Sequence, residues 1–334
     1  MLRRKTLISL SLAGLFVLSG GASFAQAVQQ HSAVVAAASD AVEAIDMEWT
    51  DAARQRQIPA RLYWPTSIKT EPAKTPLVVF SHGLGGSRLG YSYLGRYLAE
   101  QGYAVLHLQH AGSDRAVWTS GIFSMLSNLR AAASDANAIA RAQDVSFAIT
   151  RVLADERFAP RIDASAIAVA GHSYGANTAM LVTGAVVERE GKVMSFKDER
   201  IKAAIIMSAP PFYGDADMRQ ILKPINVPTL HITGTEDIIK VPGYYSDARD
   251  RIAVFDAISA PNKALAVFTG ATHSIFTDRM AAAPELSAKV KSATRELAAT
   301  FLNATLRGAP QTGVGDWLAG HKDMLSRGDA PVGQ

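Results

Sequence analysis

Along the middle of the chain, short and nearly unbroken apolar runs alternate with longer stretches in which apolar positions recur at helical spacing. The runs are residues 76–81, 103–108, 166–170, 203–208, 229–233 and 264–269. Each has the length of a strand and lacks the polar alternation of a strand with one wet face. Strands of that kind are covered on both faces, as in a parallel sheet. Residues 90–101, 140–153 and 284–306 read as helices, the first amphipathic and stopped by Gly102. Upstream, residues 48–51 and 58–63 read as a hairpin at the sheet edge. The alternation predicts an α/β domain with a mostly parallel central sheet and helices on both faces. In such sheets the chemistry sits at the carboxyl ends of the strands.

The ends read differently. Arg3, Arg4 and Lys5 precede an apolar stretch at 6–19, and Ala25-Gln26-Ala27 has the small-x-small form of a cleavage site. Residues 1–27 therefore read as a signal peptide of the general secretory route, with Val28 as the new N-terminus and a periplasmic or extracellular destination. The apolar stretch is shorter than the roughly 20 residues that span a bilayer, so no stable membrane anchor is expected. Residues 28–45 read as a leader, 46–325 as one catalytic domain with a candidate cap at 116–139, and 326–334 as a flexible tail.

Charge and composition narrow the chemistry. The chain has 34 basic and 30 acidic residues, a net charge of +4. Three of the basic residues lie in 1–27, which leaves 31 against 30. No basic block remains to grip nucleic acid or an anionic surface. There is no cysteine, which excludes disulfides, thiol catalysis and cysteine metal sites. No metal or organic cofactor is expected.

Gly171-His172-Ser173-Tyr174-Gly175 stands between the apolar run 166–170 and a helix start at Ala176. A serine in G-x-S-x-G at a strand-to-helix turn is a nucleophile elbow, and its partners follow in the order Asp or Glu, then His. A serine hydroxyl needs such a base at neutral pH. His273, just past the run 264–269, is the expected base; His231 lies inside a strand and His321 in a polar segment. Asp237, after the run 229–233, is the expected acid, with Glu236 as its rival. Asp215, Asp217, Asp247 and Asp250 read as solvated surface charges. Two backbone donors must meet the developing oxyanion. They are expected from Tyr174 and from Leu84 in the loop Ser81-His82-Gly83-Leu84-Gly85-Gly86. Phe212 and Tyr213, stiffened by Pro210 and Pro211, are expected to wall the acyl side, with Trp118 as a further substrate contact. Ile122, Met125, Leu126 and Leu129 share one helical face, which is either a cap over the site or a helix packed on the core.

These residues resemble a known family. Phe80 to Arg88, Gly102-Tyr103-Ala104-Val105, His110-Ala111-Gly112-Ser113-Asp114, Gly171 to Ala176 and Gly270 to His273 are similar to the α/β-hydrolases of the platelet-activating-factor acetylhydrolase and dienelactone-hydrolase-like group. Arg141 and Asp144 match an arginine–aspartate pair on the helix before the elbow; with Asp114 they read as structural. The resemblance covers residues 58–305 and implies the α/β-hydrolase fold, with Leu84 and Tyr174 at the oxyanion. It also points to short acyl groups. Dienelactone hydrolases are cysteine enzymes and Ser173 stands here instead, which favours esterase chemistry. The expectation is an exported serine carboxylester hydrolase acting on a small-molecule ester. A serine peptidase or amidase, and a non-catalytic binding protein, are the alternatives on the same fold.

Overall fold

In the computed structural model the described residues are 41–66, 74–118, 125–189, 191–212, 217–241, 244–279 and 282–331. The expected signal peptide and residues 28–40 of the expected leader lie outside them, as do cap residues 119–124 and Tyr213. The strands in chain order are β1 (Val42–Asp51), β2 (Arg56–Pro65), β3 (Thr75–Ser81), β4 (Ala104–Leu108), β5 (Ile162–His172), β6 (Val186–Arg189), β7 (Lys192–Ser195), β8 (Ile201–Met207), β9 (Thr229–Glu236), β10 (Ile239–Val241), β11 (Tyr244–Ser246), β12 (Lys263–Thr272) and β13 (Leu325–Asp329). The helices are α1 (Ser92–Glu100), α2 (Met125–Ala132), α3 (Asp135–Leu153), α4 (Tyr174–Thr183), α5 (Met218–Leu222), α6 (Ala248–Ala257), α7 (Pro284–Leu306) and α8 (Thr312–Gly320).

Nine strands form one sheet in the order β1-β2-β4-β3-β5-β8-β9-β12-β13, and β6-β7 and β10-β11 are separate two-stranded ribbons. The run from β4 to β12 is parallel, while the edge pairs β1-β2, β2-β4 and β12-β13 are antiparallel. All seven residues of β3 are buried, which is why it reads as an unbroken apolar run. Alternate residues serve two layers. Val79, Val169 and Ile206 pack with Val145 and Ile149 of α3, Met180 of α4 and Val254 of α6. Val78, Phe80, Ala170 and Ile205 pack with Leu94 and Leu98 of α1 and with Leu297 and Phe301 of α7. This is the α/β-hydrolase arrangement.

Several boundaries differ from expectation. Residues 42–45, expected in the leader, belong to β1, where Val42 pairs with Pro65 and Ile45 with Leu62. Residues 325–329, expected largely as flexible tail, form β13, which pairs with β12 through Val267 and Arg327. The free edge of β12 offers backbone donors and acceptors, and a short strand meets them without needing an apolar pattern. Helix α3 starts five residues before its expected position, where the Ser134 side chain accepts from the Asn137 N–H. Asp247 and Asp250 form a capping box on α6 and Asp217 caps α5, so these carboxylates have structural partners rather than only solvent. Among the described residues no helix is long and apolar enough to cross a membrane.

Candidate active site

Strand β5 ends at His172 and α4 begins at Tyr174, so one residue makes the turn. Ser173 makes it with φ 56° and ψ −121°, and its N–H donates to the Met207 carbonyl at the end of β8 (2.9 Å). The two glycines of the motif are required by close approach. A Cβ at Gly171 would lie 2.1 Å from the Gly175 carbonyl oxygen, and one at Gly175 would lie 1.9 Å from the Ser81 carbonyl oxygen of β3. Neither backbone can retreat, because each is held in or beside the central strands.

The residues expected to act with Ser173 come together. His273 opens the turn after β12, and its Nε2 lies 2.9 Å from Ser173 Oγ. Its Nδ1 lies 2.7 Å from Asp237 Oδ1. Asp237 follows β9, is fully buried, and accepts at Oδ2 from the Thr233 hydroxyl (2.7 Å). Glu236 points to solvent. His231 packs edge-on against Phe255 within the sheet, and His321 stacks on Trp317. Burial alone would raise the Asp237 carboxyl, but the hydrogen bond and charge of His273 and the charge of Arg251 outweigh it and hold the carboxyl well below the usual range.

Two supporting groups were not foreseen. Arg251 of α6 is 2% exposed, with Nε 3.4 Å from Asp237 Oδ1 and Nη1 donating to Ser246 Oγ. His172, 2% exposed, lies at the floor of the site and touches the base: its ring centroid is 4.8 Å from that of His273. His172 Nε2 lies 2.9 Å from the His273 carbonyl oxygen, and its Nδ1 lies 2.9 Å from the Tyr91 hydroxyl. A carbonyl only accepts, so Nε2 carries the proton and Nδ1 accepts from Tyr91. Burial, reinforced by the charge of His273, pushes the His172 pKa down to about 3, so the ring is a neutral prop at neutral pH.

The loop after β3 is anchored at nearly every polar backbone group. The His82 carbonyl accepts from Arg141. The Gly83 N–H donates to the Tyr91 hydroxyl (3.4 Å), and the Gly83 carbonyl accepts from His82 Nδ1 (2.7 Å) and from the Gly86 N–H (3.0 Å). The Gly85 N–H donates to the Ser113 carbonyl (2.9 Å), and the Gly85 carbonyl accepts from Trp118 Nε1 (2.8 Å). Among the described residues the Leu84 N–H has no acceptor, nor has the Tyr174 N–H at the first position of α4. Helix N-termini leave such donors open, and Leu84 lines the cavity that also holds Ser173.

A cavity of about 390 Å³ opens over Ser173, bounded by Leu84, Gly85, His273, Arg115 and Arg279. Phe212 does not line it. The Pro210 carbonyl accepts from Asn177 Nδ2 on α4 (3.0 Å), which turns that loop back over the elbow helix, and Phe212 packs there against the core. Trp118 stands beside the cavity, 44% exposed, bonded to Gly85 and with the Arg279 guanidinium 5.9 Å from its ring. Arg115 and Arg279 line the cavity together with Asp278, and no strand or glycine signal marked them. Among the described residues no group of three or more His, Asp or Glu is arranged to hold a metal ion.

Residues 50–135 match the family of platelet-activating factor acetylhydrolase, isoform II, and residues 158–246 match the serine hydrolase (FSH1) family. The chain is 27% identical over 151 residues to a platelet-activating factor acetylhydrolase from Cavia porcellus, an alignment covering 36% of this chain and 34% of that protein. The chain therefore matches about a third of the length of that curated relative. The ferulic acid esterase from Streptomyces cinnamoneus is similar in structure, with a TM-score of 0.60 and 23% identity over 81% of this chain and 92% of that one. That likeness is one of fold.

Proposed function

We propose that this chain, an α/β-hydrolase, is an exported serine carboxylester hydrolase that acts on small esters with short acyl groups. The observation that carries the reading is the continuous hydrogen-bonded line Ser173 Oγ, His273 Nε2, His273 Nδ1, Asp237 Oδ1. The matched families, named for acetylhydrolase and serine hydrolase activity, support it.

In this mechanism Ser173 Oγ attacks the ester carbonyl while His273 Nε2 takes its proton. The tetrahedral oxyanion accepts from the Leu84 and Tyr174 N–H groups. His273 then gives the proton to the leaving alkoxide, and the alcohol departs. Water, deprotonated by the same imidazole, attacks the acyl-enzyme and frees the acid. Asp237 stabilises the transient imidazolium and fixes its tautomer. The cavity of about 390 Å³ is of small-ligand size, which supports short acyl chains. Export rests on residues 1–27.

A series of p-nitrophenyl esters and matched anilides tests the reading. Acetate to butyrate should show the highest kcat/KM, since each methylene left unaccommodated forfeits roughly 0.8 kcal/mol of burial. A rate climbing steadily to palmitate would overturn the short-acyl pocket, and preference for the anilides would make the chain an amidase. Mass spectrometry of protein recovered outside the cytoplasm should show an N-terminus at Val28; an intact N-terminus on cytoplasmic protein would refute export.

A further inference from the structure

Arg141 is a buried cation that the mechanism above does not use. It lies on α3, is fully buried, and makes no ion pair among the described residues. The neighbouring carboxylate Asp144 is engaged instead by Arg54, Arg56 and His110. The Arg141 guanidinium spends its donors on neutral acceptors: Nε on Thr178 Oγ1 (3.0 Å), Nη1 on Ser113 Oγ (2.9 Å), and Nη2 on Ser81 Oγ (3.0 Å) and on the His82 carbonyl. Its guanidinium carbon lies over the Tyr174 ring, 4.6 Å from the centroid. Burial pushes its pKa down to about 10, so the group stays cationic at neutral pH.

A desolvated guanidinium without a carboxylate partner is costly to keep, so what it touches is informative. One contact is the carbonyl two residues before the Leu84 N–H; the other is the side chain of the residue that owns the second free N–H. Gly83 alone separates the gripped carbonyl from the Leu84 N–H, and a glycine there leaves the chain free to rotate unless it is held on both sides. We propose that Arg141 is a positioning residue of the oxyanion hole: by gripping the His82 carbonyl, one peptide unit before the one that carries the Leu84 N–H, and backing the Tyr174 ring, one side chain braces the two segments that present the donors. The inference rests on the hydrolase reading and names a part of its machinery that acts through other groups.

Arg141→Lys keeps the charge but cannot reach the same set of acceptors. The readouts are KM and kcat for p-nitrophenyl acetate, the latter per active site counted with a fluorophosphonate, and the affinity for a trifluoromethyl ketone, whose adduct with Ser173 places an oxyanion in the hole. Donor misplacement should lower kcat and weaken the ketone together, by about 10- to 100-fold, and leave KM nearly unchanged, because the lost contact belongs to the transition state. A merely structural role would lower the active-site count and the melting temperature while per-site kcat and ketone affinity stayed at the wild-type values, and that result overturns the proposal. Should Arg141→Lys not fold, Ser113→Ala and Tyr174→Leu loosen the same clamp, and wild-type kcat and ketone affinity in both would overturn it equally. Wild-type protein that neither cleaves the ester nor binds the ketone would refute the hydrolase reading, and the positioning role with it.

Discussion

Ser173→Ala should abolish ester turnover, lowering kcat by on the order of 10⁵- to 10⁶-fold, while the protein stays folded. The size follows from removing the one atom that forms the acyl-enzyme; oxyanion donors and binding alone leave only a residue of the rate. Folding should be spared because Ser173 makes its structural bond through its backbone N–H to Met207, which alanine retains. Circular dichroism and the melting temperature should match wild type, and fluorophosphonate labelling should vanish. Turnover within tenfold of wild type would show that the elbow is not where the chemistry happens.

Asp237→Asn should cost about 10³- to 10⁴-fold in kcat, because an amide stabilises neither the required tautomer nor the imidazolium. Stability should fall as well. Arg251, 2% exposed, would keep its charge beside an uncharged side chain, and removing one partner of a buried pair costs roughly 3–5 kcal/mol. The wild-type pH dependence has the matching sign. The folded Asp237 carboxyl sits below its ordinary value of 3.8, so the stability it adds is complete above that value and is lost as pH falls through the lowered folded one. Asp237→Asn should therefore lose stability at neutral pH and differ least from wild type in acid. Glu236→Gln, at an exposed position, should leave both kcat and the denaturation midpoint near wild type. The opposite ranking of the two variants would move the acid to Glu236.

The parallel strands were legible because both faces are covered: β3, β4, β8 and the second half of β5 carry apolar residues on each side. The elbow was legible because Gly171 and Gly175 record backbone contacts that admit no side chain. Helix α7 was legible to its ends. The unread parts depend on partners far away in sequence. His172 meets Tyr91 81 positions upstream and the His273 backbone 101 positions downstream. Arg141 is held by three hydroxyls and a carbonyl from β3, α4 and two loops, and Arg251 lies against Asp237 and Ser246, and no local pattern announces either. Phe212 follows its strand as expected, but it packs on the core beside α4, where Asn177 holds the Pro210 carbonyl, and does not line the cavity. The Asp247 box was in view yet hidden, since its third position is Asp250 rather than the usual Glu or Gln.

Among the described residues four non-glycine positions have positive φ, and three of them, Tyr91, Ser173 and Ser208, belong to the site or flank it. Each such backbone costs about 1–3 kcal/mol, so the catalytic face is where this fold is least comfortable. That has a practical side for engineering. A library selected only for survival on heating will be drawn to these positions, where glycine relaxes the chain. At 173 it deletes the nucleophile, and at 91 it removes the hydroxyl that orients His172. Heat tolerance gained there is gained by dismantling the enzyme, so variants of this chain are better screened for both properties at once, with the edge strands and surface loops as the place to look for stability that leaves the chemistry alone.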